Sequence, residues 1–132
     1  MKEIEKFNDL VGETIIKFDG EKGGDQIFIH LKCGGYCTLN HSQDCCENVL
    51  VEDIVGDTDD LLDVPLLMAE EVASEGETPT GLQEPADSDD SFTWTFYKLG
   101  TIHGSITIRW YGSSNGYYSE DVSFAYFPID HS

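Results

Sequence analysis

The sequence predicts an α+β domain: a single twisted, mainly antiparallel sheet with a short N-terminal helix and a C-terminal three-strand meander. Three observations carry this. Apolar and polar residues alternate with period two through three C-terminal segments, as half-buried strands require. Apolar residues take helical spacing over the first dozen residues. Gly-Gly and Asn-Gly pairs fall between apolar runs, where hairpin turns need positive φ.

The helix is read from EIEKFNDLV, residues 3–11, where Ile4, Phe7, Leu10 and Val11 share a stripe and Gly12 is a natural stop. TIIKF (14–18) and QIFIHLK (26–32) read as strands joined through the turn DGEKGGD. Gly34-Gly35 predicts a hairpin, YCTLN returns from it, and ENVLVEDI (47–54) is a further strand. GDTDDLLD (56–63) reads as one helical turn with Asp57 or Thr58 as its N-cap. VPLLMAEEVA (64–73) fits a buried strand as well as a helix. Residues 74–90, rich in Pro, Gly and acid and without periodicity, predict a solvated, flexible loop.

The meander follows. SFTWTFYKL (91–99) sets Phe92, Trp94 and Phe96 against Thr93, Thr95 and Tyr97. SITIRWY (105–111) sets Ile106, Ile108 and Trp110 against Thr107, Arg109 and Tyr111, and YYSEDVSFAYF (117–127) closes the set beyond Asn115-Gly116. A length of 132 residues suits one domain spanning 1–132. No run of about 18 apolar residues is present and the first residues are charged, so the expected location is the cytoplasm.

Charge is the strongest global signal. There are 26 Asp and Glu against 7 Lys and Arg, a formal charge of −19. No Lys or Arg occurs between Lys32 and Lys98, whereas 16 carboxylates lie between Asp44 and Asp90. Such a field repels nucleic acid and anionic membranes and steers basic partners inward.

All four cysteines fall within CGGYCTLNHSQDCCE, residues 33–47. Disulfides, a metal site and buried thiols compete to explain them. A reducing compartment disfavours disulfides, while His and Cys together suit zinc. His41, Cys45 and Cys46 lead as ligands, Cys37 is the first choice for the fourth, and Cys33 and His103 stand behind it. In a strand Cys37 and His41 share a face, and the turn after His41 brings Cys45 or Cys46 back beside it. Buried thiols are the plain alternative, since free cysteine is among the most buried residue types. A structural tie fits better than a catalytic zinc: Glu47 could serve as a base, but neither the deaminase order nor H-E-x-x-H occurs. Arg109 reads as an ion-pair partner for local carboxylates, and His30 as a packed strand residue.

Two stretches, HSQDCCENVLVEDIVGDTDDLLDVPLLMAEE and FTWTFYKLGTIHGSITIRWYGSSNGYYSEDV, resemble a family of small, mostly uncharacterised phage and prophage proteins. The resemblance rests on the H-x3-C-C-E, E-D-I-x-G-D and W-Y-G-x-S-N-G-Y-Y blocks. Some members look like anti-CRISPR proteins, including metal-containing inhibitors of type II effector nucleases. The resemblance implies zinc at His41, Cys45 and Cys46. It also implies a non-catalytic inhibitor that uses its acidic surface against the basic channel of a type II CRISPR effector nuclease and blocks target DNA. Candidate contacts are Glu52, Asp53, Asp57, Asp59, Asp60 and Asp63, with Glu70 and Glu71 next. The rival readings are a small zinc-dependent enzyme acting on nucleotides or nucleic acid, and a non-catalytic phage structural or regulatory protein.

Overall fold

Strands form where the sequence alternates, and their inward faces decide the architecture. The computed structural model describes residues 4–41, 48–75, 91–114 and 122–128. Among the described residues eight strands run in chain order: β1 (Ile15–Asp19), β2 (Gln26–Leu31), β3 (Tyr36–Asn40), β4 (Asn48–Val55), β5 (Met68–Glu75), β6 (Ser91–Thr101), β7 (Gly104–Ser114) and β8 (Ser123–Phe127). Two 3₁₀ turns, Phe7–Leu10 and Thr58–Leu61, complete the elements.

The expected α+β fold with one sheet is corrected. The strands make two four-stranded antiparallel sheets, ordered β1-β2-β3-β8 and β4-β7-β6-β5. The first sheet turns Ile27, Ile29, Leu31, Cys37 and Leu39 inward, and the second turns Val49, Val51, Tyr97, Leu99, Ile106, Ile108 and Trp110 inward, all within one buried cluster. Each sheet therefore covers the other's apolar face, and no helix is needed as a lid.

The α-helix predicted over residues 3–11 is instead a single 3₁₀ turn. Ile4, Phe7 and Leu10 are buried and lie three apart, the repeat of a 3₁₀ helix, while Val11 is exposed. The amides of Glu5 and Lys6 both donate to Asp9 Oδ2 at 3.1 Å. Gly12, at φ 94°, then turns the chain away, its N–H bonded to the Leu66 carbonyl at 2.8 Å. A stretch this short does not repay the cost of α-helix nucleation.

The meander is corrected as well. β6 and β7 pair from Ser91↔Ser114 to Thr101↔Gly104, but β8 does not follow on beside β7. Both edges of β7 are taken, by β6 and β4, so β8 completes the first sheet beside β3, in register from Tyr36↔Phe127 to Asn40↔Ser123. Residues 64–73, ambiguous in sequence, form the approach to β5 and most of β5 itself, an edge strand paired with β6. The turn capped by Asp57 is present: Asp57 Oδ1 accepts from the Asp59 amide at 3.0 Å. Of the loop expected over 74–90, Ser74 and Glu75 belong to β5 instead; residues 76–90 lie outside the described set, as do Asn115 and Gly116.

Phe7 ties the sheets together at one end. Its ring meets Tyr97 of β6 edge-on at 4.7 Å and Phe124 of β8 at 5.8 Å. The Tyr97 hydroxyl donates to the Val122 carbonyl at 3.3 Å. Further along β8, Gly35 lets that strand approach: a Cβ there would stand 2.7 Å from the Tyr126 hydroxyl and 2.9 Å from the Phe127 carbonyl oxygen. Phe7→Ala is expected to lower stability by about 3–5 kcal/mol, as for other buried Phe truncations, whereas Val11→Ala should stay within about 0.5 kcal/mol. Urea unfolding of the two variants checks this.

Candidate functional site

The carboxylates fall into two groups, one partly neutralised within the fold and one displayed. A bulge in β4 between Val51 and Asp53 sets Glu52 and Asp53 against Arg109 of β7. The Arg109 Nε donates to Glu52 Oε2, and Nη2 donates to Asp53 Oδ2 at 3.4 Å. The guanidinium carbon also stands 6.0 Å from the Trp94 ring centre. The Arg109 side chain is 17% exposed and its partners 34% and 35%, so water screens the pair only in part. Arg109 is thus the ion-pair partner its sequence position suggested. Glu52 and Asp53, expected as partner contacts, are engaged by it.

Asp57, Asp59, Asp60 and Asp63 surround the second 3₁₀ turn. Fully buried Leu61 anchors that turn in the core. A parallel bridge from Leu62 to Ile15 and the Asp63 amide bonded to the Ile15 carbonyl at 2.8 Å hold its exit. Thr101 Oγ1 donates to the Asp60 carbonyl at 2.5 Å. Asp60 Oδ2 packs so near Gly104 that a Cβ there would stand 2.8 Å away. Asp57, Asp59 and Asp63 are exposed, as are Glu70 and Glu71 on the edge strand β5. Glu70 lies opposite Lys98 of β6. Glu71 borders a cleft of about 320 Å³ with Glu5, Lys6, Phe7, Asn8, Val122 and Phe124.

The predicted zinc ligands are not brought together among the described residues. Cys37 lies fully buried in β3 between the sheets. Four residues of extended chain put it about 13 Å from His41, beyond the span of ligands that each reach a zinc at about 2.0–2.3 Å. Cys33 sits in the β2–β3 turn, exposed, its Sγ 3.8 Å from the Tyr126 hydroxyl. His41 follows β3 at its other end and borders a cleft of about 210 Å³ with Asp25, Gln26, Asn40 and Val49. His103 occupies the β6–β7 turn. The register Val49↔Gly112 places that turn about 27 Å along β7 from His41's neighbour Val49. Cys45, Cys46 and Glu47 lie outside the described residues, and no cluster of three metal-ligating side chains occurs within them.

Burial pushes the Cys37 thiol up to about 12 from 9.0, with smaller contributions from Cys33 and the Glu13 carboxylate. The Tyr126 hydroxyl is also raised, by desolvation first and then by its hydrogen bond with Cys33. A core thiol that keeps its proton is a poor nucleophile.

The outer face of the first sheet carries a feature that sequence reasoning missed. Pairing sets Lys17, His30, Tyr36 and Phe127 in one row across β1, β2, β3 and β8. Tyr36 and Phe127 stack at 4.9 Å with 19° between their planes. His30 lies 6.0 Å from Tyr36, and Phe28 lies 6.4 Å from Tyr36 and 6.5 Å from His30. Tyr36 is 36% exposed and Phe127 43%. The available signal was Gly34: it turns the chain so that Tyr36 comes back beside His30.

Two antiparallel sheets sharing one core, with acids on a pinned turn and an edge strand, make the described residues a mostly β, two-layer fold. The chain belongs to the DUF7448 family, described as a domain of unknown function, whose model matches residues 8–124. No curated protein and no solved structure matches it. No helix among the described residues is long and apolar enough to cross a membrane.

The raised Cys37 pKa gives a pH prediction with a definite sign. Between pH 9.0 and about 12 the unfolded chain releases the Cys37 proton while the folded chain keeps it. Stability from this group is therefore complete below pH 9.0 and falls above it by about 1.4 kcal/mol per unit. Urea midpoints between pH 8 and 11 should drop less steeply in Cys37→Ala than in the unmodified chain. In the native protein a thiol reagent should label Cys33 well before Cys37.

Proposed function

We propose that this protein is a non-catalytic, phage-encoded anti-CRISPR inhibitor acting in the bacterial cytoplasm. It binds the basic surface of a type II RNA-guided nuclease and blocks target DNA binding. The observation that carries the reading is the placement of exposed acid. Asp57, Asp59 and Asp63 sit exposed around a turn pinned by Leu61, and Glu70 and Glu71 are exposed on β5, an edge strand of the second sheet. Anchored carboxylates lose little freedom when they meet a basic surface, so less of the attraction is spent on ordering them. With a formal charge of −19 they oppose a channel built to hold a polyanion. The resemblance of the H-x3-C-C-E and W-Y-G-x-S-N-G-Y-Y blocks to phage anti-CRISPR proteins supplies the identity of the nuclease. Glu52 and Asp53, engaged by Arg109, act in this scheme through the fold rather than as contacts.

The test is inhibition of DNA cleavage by a guide-loaded type II nuclease at two salt concentrations. Inhibition should be stoichiometric and should weaken by an order of magnitude or more between about 0.05 and 0.3 M salt, as for an electrostatic complex. Replacing Asp57, Asp59 and Asp63 together by Asn should weaken it at least about tenfold, whereas Glu52→Gln should do much less. Inhibition untouched by salt and by the triple substitution would refute the proposal.

We also place a structural zinc at His41, Cys45 and Cys46, a mixed His and Cys donor set of the kind zinc takes. Cys37 and Cys33, toward the far end of β3, are left out of the set. Zinc bound there would tie the end of β3 to the start of β4. Native mass spectrometry should find one zinc per chain in the unmodified protein and in Cys37→Ala, and none in His41→Ala. Retention of the ion by His41→Ala would remove the assignment.

A further inference from the structure

We infer that the outer aromatic row of the first sheet, Tyr36 and Phe127 with His30 and Phe28 beside them, docks arginine side chains of a protein partner. The inference rests on the proposed function only in requiring that the partner be basic. Tyr36 and Phe127 are large, stacked on each other and exposed, although their strands have ample interior to face. Exposed aromatic clusters of this kind mark contact sites more often than they occur by chance.

Charge selects the occupant. A second copy of the chain would bring two bodies of formal charge −19 together, and nucleic acid would meet the same repulsion. A basic protein is drawn in. Among its side chains arginine suits the row better than lysine, because a planar, weakly hydrated guanidinium stacks on rings and forms paired hydrogen bonds to carboxylates. Those carboxylates are at hand: Asp19 pairs with Phe28 one step along the sheet, and Asp19, Glu21, Asp25 and Phe28 line a cleft of about 370 Å³. The cations nearest this surface are Lys17, opposite His30, Lys32, just beyond β2, and Lys22, in the β1–β2 turn beside Glu21. Lys17 and Lys32 do not line that cleft and its three carboxylates outnumber Lys22, so an arginine enters from the Asp19 and Phe28 side. The molecule already uses this chemistry on its other sheet, where Arg109 lies over Trp94 and is held by Glu52 and Asp53.

The experiment compares fluorescein-labelled nona-arginine and nona-lysine binding to the whole chain by anisotropy at about 0.15 M salt. The two peptides carry equal charge, so net charge alone treats them alike, and the ring substitutions below separate stacking from paired hydrogen bonds to carboxylates. The row should make nona-arginine bind about three- to fivefold tighter. Tyr36→Ala combined with Phe127→Ala should cut that preference at least in half, and Tyr36→Trp should keep it. Titrating nona-arginine into the unmodified chain should also shift the ring protons of Tyr36 and Phe127, a readout that needs no substitution. Equal affinity for the two peptides overturns the inference. So do a preference unchanged in the double variant, ring-proton shifts absent from Tyr36 and Phe127, or tighter binding of a labelled oligothymidylate. A nuclease left uninhibited would sink the proposed function and leave the peptide result standing.

Discussion

Burial of two inward sheet faces against each other has to outweigh the mutual repulsion of carboxylates that exceed the Lys and Arg by 19. The core does this with well-interlocked apolar side chains: Ile27, Ile29, Leu31 and Leu39 from one sheet against Leu99, Ile106, Ile108 and Trp110 from the other, with Phe7 closing one end. Repulsion then governs where charge can go. Among the described residues none of the buried ones is a carboxylate. Arg109 holds two neighbouring carboxylates at once and leans over Trp94, joining charge to packing on the outer face of the second sheet.

Much of this was legible in the sequence because alternation is a local signal. The segments read as strands around 14–18, 26–32, 36–40, 47–54, 91–99 and 105–111 all form strands, and the acidic turn after Gly56 forms with Asp57 as its cap. What failed was set by distance. Nothing local to β8 says that both edges of β7 are occupied, so the third strand of the expected meander joins β3 instead. The N-terminal segment failed for a subtler reason: Ile4, Phe7 and Leu10 satisfy a period of three as well as one of 3.6, and only exposed Val11 separates the two.

The site divides the same way. Alternation put Cys37 and His41 on one face of β3, but the sheet makes that face the core, where a thiol packs and keeps its proton. A shared face is not proximity when four extended residues intervene. The acids of 57–63 and β5 were visible as composition; that Glu52 and Asp53 are engaged while Asp57, Asp59 and Asp63 are displayed depends on Arg109 arriving from β7, more than fifty residues away. The aromatic row was invisible for a related reason, since three separate strands each contribute to it.

Two features thus face away from one core: acids displayed on a pinned turn and on the edge strand β5, and an aromatic row on the first sheet. A basic partner can use both without any catalytic group, and that is the central claim. Amide hydrogen exchange of the protein, free and bound to a guide-loaded type II nuclease, addresses it most directly. Slowed exchange is expected in residues 57–63 and through β5, where backbone groups lie beneath the displayed carboxylates. Exchange unchanged across both segments in a saturated complex would contradict it.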